Sequence, residues 1–163
     1  MKLFHGGILT IEKPVILESQ RLLDFGNGFY TTSNQNQAER WACVKKKRFE
    51  KKSKAIVTIY QISKELFANQ NYIIKEFVKA DEQWLDFIIA NRKGEISHNY
   101  DIVIGPVAND TLYATITLYE SGILNKEETI KRLKVHNLYD QVSFHNNKVL
   151  KELFFFDSYE IYE

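Results

Sequence analysis

Asp24-Phe25-Gly26-Asn27-Gly28-Phe29-Tyr30-Thr31-Thr32 begins with two glycines framing an asparagine and ends in aromatic and β-branched residues. Glycine supplies the backbone freedom of a tight turn, and the residues after it prefer extended chain. The string therefore reads as a turn that launches a short strand, Phe29–Thr31. Ser33 or Asn34 can then cap a helix over about 34–49, because a short polar side chain accepts from the first unpaired amides. Within that helix Ala38, Trp41 and Ala42 recur at helical spacing. A turn of this kind can wrap a flat ligand, and the ring of Tyr30 can stack on it. A plain hairpin turn with Phe29 in the core would explain the glycines but not the whole string.

Working outward, Lys2–His5 reads as a strand that breaks at Gly6-Gly7, and Val15–Leu17 after Pro14 as an extended piece. Ala55–Ile62 and Tyr72–Val78 read as strands, the first rich in β-branched residues. Asp81–Arg92 is a helix with Trp84, Leu85, Ile88 and Ile89 on one face, opened by acids and closed by bases. Asp101–Val107 is a short apolar strand, Thr111–Tyr119 and Asn125–Leu133 are helices, and Gln141–His145 is a strand. Asn147–Leu153 and Phe154–Tyr162 close the chain as a short helix and a strand, while Gly94 and Gly122 stop helices. Strands that follow one another among helices favour an α+β fold over a doubly wound parallel sheet. No repeat, linker or low-complexity segment divides the 163 residues, so residues 1–163 read as one domain.

The 22 Lys and Arg against 21 Asp and Glu leave a net charge of +1, which excludes a global field toward nucleic acid or an acidic membrane. One cysteine, Cys43, excludes an internal disulfide framework and cysteine-rich zinc sites, and reads as inert packing. The four histidines show no HExxH spacing, so no metal is expected. No apolar window approaches a membrane span and no leader pattern is present, which points to a soluble cytoplasmic protein.

Three strings carry residues suited to ligand chemistry. His5-Gly6-Gly7 ends the first strand, where glycine lets a ligand approach the backbone and the imidazole can donate to a hydroxyl. The Asp24–Thr32 turn is the second. Gln141, Ser143 and His145 form the third, sharing one face of a strand whose Val142 and Phe144 fill the core, although a polar edge strand would look the same. Asp101, Asn109 and Asp110 flank the Gly105-Pro106 turn. His98, His136 and His145 read as structural or surface residues. The dense basic block Lys45-Lys46-Lys47-Arg48, continued by Lys51, Lys52 and Lys54, reads as a solvated helix end or as a docking patch for an acidic partner or nucleic acid.

Taken together and in this order, these strings resemble the ADP-ribosyltransferase superfamily of the His-Tyr-Glu kind. More closely, His5-Gly6-Gly7, Asp24-Phe25-Gly26-x-Gly28-Phe29-Tyr30-x-Thr32, Gln37-Ala38-x-x-Trp41-Ala42 and Asp101-x-Val103-x-Gly105-Pro106-Val107-Ala108 resemble the bacterial domain-of-unknown-function 3990 family. The resemblance covers nearly the whole chain. It implies split antiparallel sheets around an NAD cleft with flanking helices.

In that scheme NAD is the substrate and no metal is needed. His5 bonds the adenosine-side ribose, the Gly6 backbone holds the nicotinamide carboxamide, Tyr30 stacks on the nicotinamide ring, and Gly28, Phe29 and Thr31 line the cofactor site. Gln141 faces the nicotinamide-side ribose, where the better-known pattern has a glutamate. Glutamine can bond a hydroxyl but cannot take its proton. Glu152 and Glu160 are the later acids that could stand in. The implied function is mono-ADP-ribosyl transfer to a protein or nucleic-acid acceptor, in a bacterial toxin or defence effector paired with a small antitoxin-like protein. An NAD glycohydrolase and a catalytically silent NAD- or partner-binding module are the alternatives.

Overall fold

The computed structural model describes residues 1–18, 23–49, 53–107, 110–133 and 140–162. Its first sheet is organised by β3 (Ala55–Gln61), whose β-branched and aromatic residues are buried on both faces. Strands β1 (Lys2–Gly7) and β7 (Phe154–Ile161) flank it, both antiparallel. The second sheet has the order β2 (Phe29–Thr31), β6 (Asp140–Phe144), β5 (Ile102–Pro106), β4 (Ile74–Glu76). The chain is thus a mixed α and β fold of two sheets and five helices.

The second sheet departs from the wholly antiparallel expectation: β4 and β5 run parallel. The helix α2 (Glu82–Lys93) lies between them in sequence, and a helical crossover returns the chain in the same direction. β6 is also not an edge strand. It lies between β2 and β5, and Gln141, Val142, Ser143 and Phe144 are all buried. The sheets meet at one isolated bridge, where the Phe4 amide donates to the Thr32 carbonyl at 2.8 Å and the Thr32 amide returns a bond at 2.9 Å.

Helix α1 (Gln35–Arg48) starts where Asn34 Oδ1 accepts from the Gln37 amide at 3.0 Å. It lies across the first sheet and buries Ala38 and Ala42 with Ala55, Val57 and Ile59. The approach is so close that a Cβ on Gly6 would stand 2.0 Å from the Ala38 carbonyl oxygen. The glycine pair therefore does not break β1, which continues through Gly7, and Gly6 lets the helix lie on the strand.

The expected helices over 81–92, 111–119 and 125–133 appear as α2, α3 (Asp110–Glu120) and α4 (Lys126–Leu133). Asp81 caps α2, and left-handed Gly94 (φ 69°) ends it. Three expected spans are shorter or missing: β4 covers only part of 72–78, α5 (Asn147–Leu150) stops early, and Val15–Leu17 belongs to no strand. A 3-10 helix at Lys64–Ala68 was not anticipated. Among the described residues no helix is long and apolar enough to cross a membrane.

One core, with Phe25, Trp84, Leu85, Ile88, Val103 and Leu133, lies between the second sheet and α2 to α4. Another, with Leu3, Phe29, Tyr60, Ile102, Val142 and Phe144, joins the two sheets. Because Phe29 belongs to that second cluster, the turn before it is pinned to the sheet junction. Gly6→Ala should lower unfolding stability by about 3 kcal/mol, since the new methyl meets rigid helix backbone. Urea unfolding checks this; an unchanged midpoint would show that α1 can retreat from β1.

Candidate functional site

A cavity of about 500 Å3 opens beside the junction of the sheets. β1, β2, the start of β6, one face of α1, the irregular chain at Ile11 to Leu17 and the turn at Leu23 to Gly28 wall it. Its size falls within the roughly 300–1,000 Å3 of small-molecule sites. His5, Gly6, Gly28, Phe29, Tyr30, Thr31 and Gln141, named from sequence, all line it.

His5 is fixed at one nitrogen. Its Nδ1 lies 2.7 Å from the Tyr30 carbonyl oxygen, and its ring stacks on Phe29 with centroids 4.6 Å apart. Burial, reinforced by the Lys45 ammonium, pulls its pKa down to about 3, so the ring is neutral. A carbonyl only accepts, so Nδ1 carries the proton and Nε2 is left with a lone pair. Toward a ligand hydroxyl His5 is therefore an acceptor, not the donor read from sequence.

Tyr30 offers its ring but not its hydroxyl. That hydroxyl donates to the Gly26 carbonyl at 2.6 Å and accepts from the Phe25 amide at 3.1 Å. Burial, with an added contribution from the Asp24 carboxylate, pushes its pKa well above the usual phenol range. Two histidines hold the same turn from behind. His98 Nε2 lies 2.7 Å from the Phe25 carbonyl, and His145 Nδ1 lies 2.8 Å from that of Asn27. Both thus act structurally, as the sequence suggested; His136 lies outside the described residues. Gly28 is needed because a Cβ would stand 2.7 Å from the Phe144 carbonyl.

Gln141 is 7% exposed, and its Nε2 is a buried donor without an acceptor. A buried amide left unpaired costs about 1–3 kcal/mol. Its neighbours on the wall are satisfied: Thr31 Oγ1 donates to the Val142 carbonyl at 2.8 Å, and Ser33 and Thr32 share the Asp140 carboxylate. Gln141 therefore lines the cavity with a solvent-shielded amide nitrogen that has no partner among the described residues.

The basic block does not act as a unit. Lys45 lines the cavity and donates to the Gly6 carbonyl at 2.7 Å, while Lys47 and Arg48 are exposed and Lys46 is half-buried. Burial pulls the Lys45 pKa down to about 8. Because Phe4 exchanges both backbone bonds with Thr32, Gly6, two residues on, presents its amide and carbonyl to the same side. In the Gly6 backbone assigned to a ligand carboxamide, one lone pair of the carbonyl thus already has a partner. Lys45, Gln37, Trp41 and Tyr113 are lining residues that sequence reading missed. The signal for Lys45 was its place on the Ala38, Trp41, Ala42 face of α1.

Neither acid proposed to stand in for glutamate lines the cavity. Glu152 accepts from the Tyr72 hydroxyl at 2.8 Å, and Glu160 pairs with Lys54 at 2.8 Å. Asp101 is engaged by the Ile73 amide and by Asn146 and does not line the cavity; Asn109 lies outside the described residues, as do Lys51 and Lys52 of the basic block. Cys43 packs against the core beneath α1. Among the described residues no group of three or more His, Cys, Asp or Glu side chains is placed to hold a metal.

A family model described as a protein of unknown function (DUF3990) matches residues 1–155. No curated protein and no solved structure matches the chain.

Neutral burial of histidine gives the fold an acid limit. The folded pKa values of His5 and His145, about 3 and about 4, lie below the unfolded value near 6.5, so unfolding takes up protons as pH falls. Stability is fully present above about pH 6.5 and should fall toward pH 4, with a slope of about 1.4 kcal/mol per pH unit for each histidine. His5→Asn should remove one proton from that slope in urea unfolding at stepped pH. A flat profile between pH 7 and 5 would contradict the neutral assignment.

Proposed function

The chain belongs to the DUF3990 family, and from that premise we propose that its cavity binds NAD as the substrate of mono-ADP-ribosyl transfer. The observation that carries this reading is the unpaired Gln141 amide, buried in a wall that also presents the Nε2 lone pair of His5 and the ring of Tyr30. A donor, an acceptor and an aromatic face on one cavity match two ribose hydroxyls and a planar base. The order of the residues also matches the His-Tyr-Glu pattern, with glutamine third.

The reaction breaks the bond between the ribose and nicotinamide and joins the ribose to an acceptor, which loses a proton. Positive charge grows on the ribose as nicotinamide leaves, so the site acts by holding the dinucleotide in the reactive pose. Gln141 bonds a ribose hydroxyl and supplies no general base. The acceptor is thus one whose proton departs without help from this residue. A toxin or defence role with a neutralising partner extends the same resemblance.

NAD at about a hundred times its Kd should stabilise the protein by roughly 2.7 kcal/mol, read as a rise in Tm. Tyr30→Ala should abolish that rise while the protein stays folded. With labelled NAD in a cell lysate, label on a macromolecule indicates transfer, free ADP-ribose indicates hydrolysis, and bound but intact NAD indicates a silent module. No rise in Tm at millimolar NAD would overturn the reading.

A further inference from the structure

Lys45 is the single cationic side chain among the described residues that line the cavity. Its ammonium has three donors, and the bond to the Gly6 carbonyl uses one. The ion pairs among the described residues involve Lys54, Arg92 and Lys126, and none involves Lys45. The Asp24 carboxylate acts on Tyr30, and the Lys45 ammonium acts on His5. Burial pulls the Lys45 pKa down. Among the described residues this partly buried ammonium faces a neutral carbonyl and has no ion-pair partner, and such a group gains most from an anion delivered to it.

The position is also built. α1 crosses β1 with Ala38 and Ala42 pressed on Gly6, so Lys45, one turn further, reaches the strand backbone from the helix side. Retaining the Gly6 bond would hold the ammonium at the cavity wall and leave its other donors available to a ligand.

We infer that Lys45 is the anion-recognition residue of this cavity, holding the Gly6 carbonyl while it pairs with a negatively charged oxygen of the ligand. Resting on the dinucleotide reading above, that oxygen comes either from the pyrophosphate of NAD or from a pyridine carboxylate, as in the nicotinic-acid dinucleotide. A carboxylate at the Gly6 end would make the deamidated dinucleotide the better substrate, since its negative charge would meet the Lys45 ammonium directly.

Calorimetric titration of the whole chain tests this with NAD, nicotinic acid adenine dinucleotide, inorganic pyrophosphate and nicotinamide riboside, which carries no anion. Lys45→Met should weaken the nicotinic-acid dinucleotide at least tenfold and leave the riboside unchanged, and Lys45→Arg should restore most of the loss. Equal losses for both dinucleotides support the pyrophosphate, and a loss confined to the nicotinic form supports the carboxylate. Wild-type affinity should fall above about pH 8 as the ammonium loses its proton, whereas Lys45→Arg should stay flat there. The other titratable groups on the wall, His5, Asp24, Tyr30 and Tyr113, are shared by both proteins. Unchanged binding by Lys45→Met overturns the inference. Pyrophosphate bound through Lys45 without any dinucleotide binding retains it and overturns the dinucleotide reading instead.

Discussion

The bond from His5 Nδ1 to the Tyr30 carbonyl ties β1 of one sheet to β2 of the other beside the Phe4–Thr32 bridge. The backbone junction is narrow, and the buried cluster of Leu3, Phe29, Tyr60, Ile102, Val142 and Phe144 backs it. The bond also sets the chemistry, because it spends the one proton of a neutral imidazole and leaves Nε2 as an acceptor on the cavity wall. Phe29 stacks against the same ring and packs at right angles to Tyr60, which carries the constraint into the core between the sheets.

From that junction the rest of the site follows by close packing. α1 lies on β1 because Gly6 has no side chain, and this brings Trp41 and Lys45 to the cavity. The turn at Gly26 to Gly28 lies against β6 and is held by His98 and His145, so the ring of Tyr30 is fixed from behind. The polar side chains on the wall include the His5 imidazole, the Gln141 amide, the Lys45 ammonium and the Asp24 carboxylate.

Much of this was legible from local signals. The strand, cap and helix after Gly28 follow from turn chemistry, an N-cap and helical spacing, and β6 places Gln141 opposite Val142 and Phe144 by alternation. What stayed hidden depends on partners distant in sequence. Gly6-Gly7 looked like a break because the helix that presses on it begins almost thirty residues later. Lys45 looked like part of a charged helix end because sequence neighbours, rather than the helical face, defined the run. The polar edge reading of Gln141 to His145 failed because β5, forty residues away, covers the other side of β6. The parallel pairing of β4 with β5 depends on the crossover through α2, which local patterning does not reveal.

The central claim is that a neutral, Nδ1-protonated His5 forms part of a dinucleotide site. The nitrogen-15 resonances of its ring, followed by NMR at pH 7 during addition of NAD, test it most directly. The account predicts a neutral Nδ1–H tautomer whose Nε2 resonance moves saturably, while Nδ1 keeps its bond to Tyr30. A protonated ring, or an Nε2 resonance indifferent to NAD, would contradict it.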